Sequence, residues 1–405
     1  MSLYDKATIA LIPSGFKAGS TDNLYSVLPA NGNGDFNATR GSTATRVNKD
    51  GLIESVATNV PRLDYPVTSG VVGDCPHLLL EPSRTNIYPY SNQKVSGGLE
   101  TFAVGTSSIT VTNNYATSPD GSLNAMRMVA TCGSTSSDQT GLRDALSMSA
   151  ASATLSFFAK SNTSSAQTVA IHFNGGTKTV LTLTTDWQRF TYTDTSSTTN
   201  NAGVVIRGGS TDTSVDVLLF GFQMEQATYP TSYIPTENNA SGVTRSADLC
   251  IDSGTSAEFN DSEGVLFAEL QALDDLPSAN SYVSLSDGSS VTNAVLIQYR
   301  NNGDLRLYNG GTITANMIFR DAGATLTDNL KIAIKYGTST SDYKVYINGV
   351  NKTIETAFVA TSMSGLDSLQ FAYSNGTSSP FEGKCKQLIV FNEALSDSEL
   401  ATLTS

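Results

Sequence analysis

Histidine and cysteine, the usual sources of metal ligands, nucleophiles and general bases, are scarce: the 405 residues include two of the first and four of the second. Cys75, Cys132, Cys250 and Cys385 stand far apart and form no CxxC pair, which removes a zinc-ribbon reading and predicts free, mostly buried thiols. Positive charge is also short. Lys and Arg total 24 against 37 Asp and Glu, a net charge of −13, so no basic groove for nucleic acid and no surface for an anionic membrane is expected. No apolar run approaches the length of a membrane span. The opening MSLYDKATIALIPSG carries only a short apolar patch from Ala7 to Ile12 before a Pro-Ser-Gly break, so a secretory leader is not expected. The expectation is synthesis in the cytoplasm and display elsewhere by assembly. Heptads, collagen-like glycine spacing and repeats with a period of roughly 20–50 residues are absent, which excludes fibre-forming arrays.

Catalytic signatures are missing too. There is no G-x-S-x-G elbow and no glycine-rich phosphate loop. His77 follows Pro76, and His172 falls in the strand-like QTVAIHFNGG without a Ser or Cys nucleophile, so it reads as a packing residue. Glycoside hydrolysis needs two carboxylates in one cleft. The nearest cluster, Glu258, Asp261 and Glu263, has an odd spacing that splits its first two members across a strand, and it ends at Gly264 like a polar turn. The chain is therefore expected not to be an enzyme; a polysaccharide-degrading enzyme is the weaker alternative.

What the chain has in quantity is Ser, Thr, Asn and Gly, with β-branched and aromatic residues in short alternating runs. That pattern predicts an all-β fold: two tandem antiparallel β-sandwiches, or jelly rolls, preceded by an irregular N-terminal arm. The expected division is an arm over 1–85, a first sandwich over 86–237, a linker over 238–245 and a second sandwich over 246–405. In the arm, Asn48–Gly51 marks a hairpin between Ala44–Val47 and Leu52–Val56. Strands are predicted at Thr154–Phe158, Gln167–Phe173, Val180–Leu183, Trp187–Tyr192, Ala202–Arg207 and Val215–Met224. The second sandwich is predicted to use Val265–Gln271, Tyr282–Leu285, Ala294–Arg300, Leu305–Tyr308, Lys331–Tyr336, Tyr343–Ile347, Leu369–Ala372 and Cys385–Phe391. Asn348–Gly349 suits a type I′ turn, and Ser396 with Glu399 forms a capping box for a short C-terminal helix expected to cap one end of the sandwich.

Three segments carry a resemblance. STATRVNKDGLIE (Ser42–Glu54), CPHLLLEPSRTNIYPYSN (Cys75–Asn92) and QMEQATYPTSYIPTENNASGVTRSAD (Gln223–Asp248) resemble parts of bacteriophage tail and virion-appendage proteins. In the last, Pro230 and Pro235 fix φ and remove two donors, which suits a rigid extended junction. LTTDWQRFTYT (Leu183–Thr193) resembles carbohydrate-binding-module jelly rolls. YKVYINGV (Tyr343–Val350) with QLIVFNEALSDSELATL (Gln387–Leu403) resembles concanavalin A-like, laminin-G-type sandwiches. Together these resemblances imply a tail fibre, spike or receptor-binding component in the virion that adheres to host-surface carbohydrate. They imply contact with other virion proteins through the arm, and a homo-oligomer, trimeric by analogy. A capsid head fibre or decoration protein is the alternative.

Sugar binding needs aromatic faces beside polar groups. A two-residue turn at Asn302–Gly303 would place Ile297, Tyr299, Arg306 and Tyr308 on one face, so Tyr299, Arg306 and Tyr308 are the candidate ligand contacts. Tyr373–Asn375 and Asp287 are loop candidates for a sugar or cation. Trp187, the single tryptophan, has a strand context that favours packing over a sugar platform. No cofactor is implied. No Asp-rich loop has the regular spacing of a calcium site, and metal binding stays open.

Overall fold

The computed structural model describes residues 2–15, 24–68, 70–149, 151–197, 201–237, 239–289, 293–309, 316–319, 325–353 and 363–405. The fold is almost entirely β, sandwich-type and concanavalin A-like. One sandwich packs two five-stranded antiparallel sheets. In spatial order the first sheet runs Glu100–Val104, Gln139–Asp144, Ala202–Arg207, Gln167–Phe173, Gly176–Leu183. The second runs Ser108–Thr117, Leu123–Thr131, Ser214–Glu225, Ala151–Ser161, Gln188–Ser197. Alternate residues of both meet inside, where Leu142, Ile171, Phe173 and Val204 face Met126, Leu155, Phe157 and Phe222. The six strands predicted here are present, and four further strands between Glu100 and Asp144 were not anticipated.

The second sandwich packs an eight-stranded sheet on a five-stranded one. Parts of the first 85 residues, expected as a leading arm, are built into it. Ile9–Leu11 pairs with Leu388–Val390, and His77–Leu80 pairs with Gly383–Cys385 and with Leu63–Asp64. Ile9, Leu11, Phe36, Leu78 and Leu80 join one core with Leu266, Ile332 and Val390. The reason is chemical: IAL and HLLL are short but wholly buried runs, too short to alternate visibly. The first sandwich is thus inserted between two parts of the second.

The capping box at Ser396 and Glu399 opens the helix Asp397–Thr404 as predicted. The helix lies on the outer face of the eight-stranded sheet, not at an end. Leu400 and Leu403 pack on Phe267, Tyr346 and Phe391, because strands such as Glu263–Ala272 are apolar on both faces. The hairpins at Asn48–Gly51 and Asn348–Gly349 form as predicted, the latter with both residues at positive φ (47° and 78°). All four cysteines are free, and only Cys75 is exposed.

The three segments that carry the appendage resemblance converge on one junction between the sandwiches. Arg62, wholly buried, donates to Glu81 at 2.7 Å, to Ser232 at 2.7 Å and to the Thr45 carbonyl at 3.1 Å, and it also pairs with Asp248. Arg245 pairs with Glu81, and Arg40 with Asp248 at 2.9 Å. Asn86 donates to the carbonyls of Phe222 and Ile234 at 3.1 and 2.9 Å, and its oxygen accepts from Met224 at 3.0 Å. Burial alone would raise the Glu81 carboxyl, but Arg245 and Arg62 hold it far below the usual carboxylate range. Buried charges this well hydrogen-bonded fix geometry more surely than they add stability. Nearby, half-buried Trp187 packs with Ile53, Phe220 and Tyr233.

Candidate functional site

The hairpin Ala294–Tyr299 to Leu305–Asn309 sets the site. Its loop is longer than predicted: the Arg300 amide donates to the Asp304 carbonyl at 2.9 Å, and Gly303 sits at φ 81° inside that loop. Tyr299 therefore pairs with Leu305, and Gln298 with Arg306. One residue of shift moves side chains to the other face. The single face expected for Tyr299, Arg306 and Tyr308 does not exist. Tyr299 is 0% exposed, and its ring packs on Phe381 at 5.2 Å in the core. Arg306 and Tyr308 lie on the outer face and are half-buried.

On that outer face the side chains form a connected row. Arg306 donates to the Tyr308 hydroxyl at 2.9 Å, Tyr308 donates to Gln298 Oε1 at 2.8 Å, and Gln298 Nε2 donates to the Tyr282 hydroxyl at 2.6 Å. Tyr282 then meets Tyr373 edge-on at 4.9 Å. Burial, with Tyr308 and Tyr373 close by, raises the Tyr282 phenol. The Tyr282 hydroxyl thus stays neutral and able to donate or accept. The guanidinium of Arg306 also lies over the Tyr308 ring at 5.6 Å.

The turn after Tyr373 links this row to a polar depression of about 280 Å³ lined by Asp252, Asp287, Gly288, Asp367, Gln370 and Asn375. Gln370 is 1% exposed; its Nε2 donates to the Ser374 carbonyl at 3.0 Å, while Oε1 has no partner among the described residues. Asp287 accepts from Ser289 at 2.9 Å and from Asn293 at 2.9 Å. Among the described residues, no group of three or more His, Cys, Asp or Glu is placed to hold a metal ion. The loop candidates Tyr373, Asn375 and Asp287 therefore come together. Tyr282, Gln298, Asp252, Asp367 and Gln370 had not been singled out. The alternation Tyr282, Ser284, Ser286 carried that signal, since it marks one polar side of a strand whose other side is apolar.

The acidic cluster is occupied structurally. Glu258 accepts from Thr255 and Asn33, and Asp261 accepts from the amides of Gly365 and Leu366 at 2.9 Å each. His77 lies 3.2 Å from Asp64, and His172 is buried in its strand.

Residues 272–401 match the model of the concanavalin A-like lectin/glucanases superfamily. No curated protein sequence matches the chain. Among solved structures, the chain is similar to the CBM40 of Ruminococcus gnavus IT-sialidase bound to α2,3-sialyllactose, at 17% identity, TM-score 0.29, over 36% of this chain and 83% of that one. It is also similar to domain 4 of AbnA, a GH43 arabinanase of Geobacillus stearothermophilus in complex with arabinotriose, at 17% identity, TM-score 0.31, over 39% and 73%. A Trypanosoma rangeli sialidase mutant matches at 15% identity, TM-score 0.30, over 39% of this chain and 26% of that enzyme.

Proposed function

We propose that this protein is a non-catalytic adhesive that binds glycan on the outer face of the five-stranded sheet of its second sandwich. The observation that carries the reading is the hydrogen-bonded row Arg306–Tyr308–Gln298–Tyr282 running into a polar depression. Tyrosine faces suit the C–H sides of sugar rings, and the Asp, Gln and Asn side chains beside them suit hydroxyls. The acids of the depression bind no developing charge in this reading; they orient neutral hydroxyls.

The finer reading is a bacteriophage appendage, such as a tail fibre, spike or receptor-binding component, made in the host cytoplasm and displayed as an oligomer on the virion. It rests on the resemblance of Ser42–Glu54, Cys75–Asn92 and Gln223–Asp248. That these segments meet at one buried junction supports treating them as one device for holding two sandwiches rigidly. Attachment to other virion proteins would then use an exposed surface near the junction, because most of the first 85 residues is committed to folding.

Binding of the purified full chain to extracted bacterial surface polysaccharide, measured by calorimetry, tests the site. Tyr308→Ala should weaken it about tenfold, the effect of losing one stacking aromatic of ~1.4 kcal/mol. Unchanged affinity would place the site elsewhere, and release of reducing sugar would replace adhesion with catalysis.

A further inference from the structure

The first sandwich presents a second, chemically different surface. Across the outer face of its first sheet, Glu100, Arg143, Gly203 and His172 are successive cross-strand partners, and Thr177 follows His172. The next row is Phe102, Gly141, Val205, Ala170 and Val180. Gly141 and Gly203 carry no side chains, and the rings of Phe102 and His172 close over them with centroids 5.5 Å apart. Because Gly203 has no side chain, Arg143 reaches across it to donate to His172 Nε2 at 3.2 Å. Its guanidinium lies 4.0 Å above the Phe102 ring, which holds the planar group flat.

Arg143 has no carboxylate partner among the described residues. Glu100, its cross-strand neighbour, turns away to accept from the Gly97 amide at 3.2 Å. Lys178 brings a second cation to the same row and makes no ion pair among the described residues. In a chain of net charge −13, two cations converging without an opposing acid stand out. Two buried polar atoms beside them, His172 Nδ1 and Thr177 Oγ1, also have no hydrogen-bond partner among the described residues. His172 accepts from Arg143, so it is the neutral tautomer with its proton on Nδ1. Phe102, half-buried, and Val180, exposed on the opposite edge strand, add apolar surface to this face.

We infer that this face binds the carboxylate of an acidic sugar, with the Arg143 fork on the carboxylate. A guanidinium held flat offers two parallel donors to a planar carboxylate, which a lysine cannot copy. Lys178 adds a second positive charge beside His172. The carboxylate could come from a uronic acid or from a nine-carbon sialic acid, and both present the same planar anion. The site is separate from the tyrosine row and does not depend on it.

Saturation-transfer NMR on the full chain with glucuronate, N-acetylneuraminate and glucose tests the assignment. At least one acid should bind while glucose does not, and added salt should weaken the binding. Arg143→Gln should reduce that binding more than tenfold and Arg143→Lys should restore only part of it, with the melting temperature measured for both. Tyr308→Ala should leave acid binding unchanged, which separates this site from the one proposed above. Equal binding of glucose, binding that survives Arg143→Gln in a folded protein, or no binding of either acid would each overturn the inference.

Discussion

Tyr299 and Tyr308, on the two strands of one hairpin, project from opposite faces of the same sheet. Only Tyr308 can meet a ligand. The hydroxyl of Tyr299 is buried and has no hydrogen-bond partner among the described residues, and burial raises its phenol far above the ordinary range. Tyr299→Phe removes an unsatisfied polar atom and should stabilise the protein by about 1 kcal/mol. Tyr299→Ala should cost about 3–5 kcal/mol through a cavity beside Phe381. Urea denaturation distinguishes the two, and a loss of stability in Tyr299→Phe would reveal a partner for that oxygen.

Gln298 links two tyrosines through both ends of its amide. Gln298→Leu keeps the volume but frees both hydroxyls. Glycan affinity should fall about threefold to tenfold, since each lost hydrogen bond is worth ~1 kcal/mol in pre-organisation. Calorimetry on the variant, with melting as the folding control, reads this directly. Affinity equal to that of the parent would show that the row is decoration of the sheet and not part of a binding face.

The buried junction predicts a large single-site effect. Arg62→Met leaves Glu81 and Asp248 buried with fewer cations, and removing one partner of such a network costs about 3–5 kcal/mol. Limited proteolysis should then cut between the sandwiches, within 226–248, before either sandwich unfolds. A variant that melts and digests like the parent would remove the junction's role in rigidity.

Acid should destabilise the protein in two windows. His172 is driven down to about 4 by burial, with Arg143 and Lys178 adding repulsion. Its unfolded form takes up a proton near pH 6.5. The unfolded state therefore binds more protons between about pH 6.5 and 4, and stability falls across that interval as pH drops. The loss should be on the order of 2 kcal/mol, and His172→Gln should flatten that part of the curve. The depressed Glu81 carboxyl acts lower: its contribution is present above the ordinary carboxylate range and disappears as pH falls below it. Chemical denaturation at a series of pH values measures both slopes.

The all-β class and the strands with clean alternation were legible in the sequence, because a half-buried strand writes its period directly into residue order. Lys331–Tyr336 is of this kind. The Asn348–Gly349 turn and the Ser396 cap were legible for a similar reason, each being fixed by residues within four positions. The face of Tyr299 was not, since it depends on whether the loop after it closes over two residues or more. The placement of Ile9–Leu11 and His77–Leu80 was not either. Their partners lie roughly 300 to 380 residues away, and a three- or four-residue apolar run says nothing about which edge it will join. The strands from Glu100 to Asp144 were not legible because their alternation is brief: in Ser108–Thr117, Ile109 and Val111 alternate with polar residues only as far as Asn113 and Asn114.

The strand Gly383–Phe391 accepts Ile9–Leu11 and His77–Leu80 along one edge, so two segments made early wait for one made much later. Until then those apolar runs have no lasting neighbour, and the inserted sandwich can mature first by itself. Assembly of the outer sandwich is thereby deferred until that strand has been made, and any product stopped short of it is left with sticky, unclaimed segments.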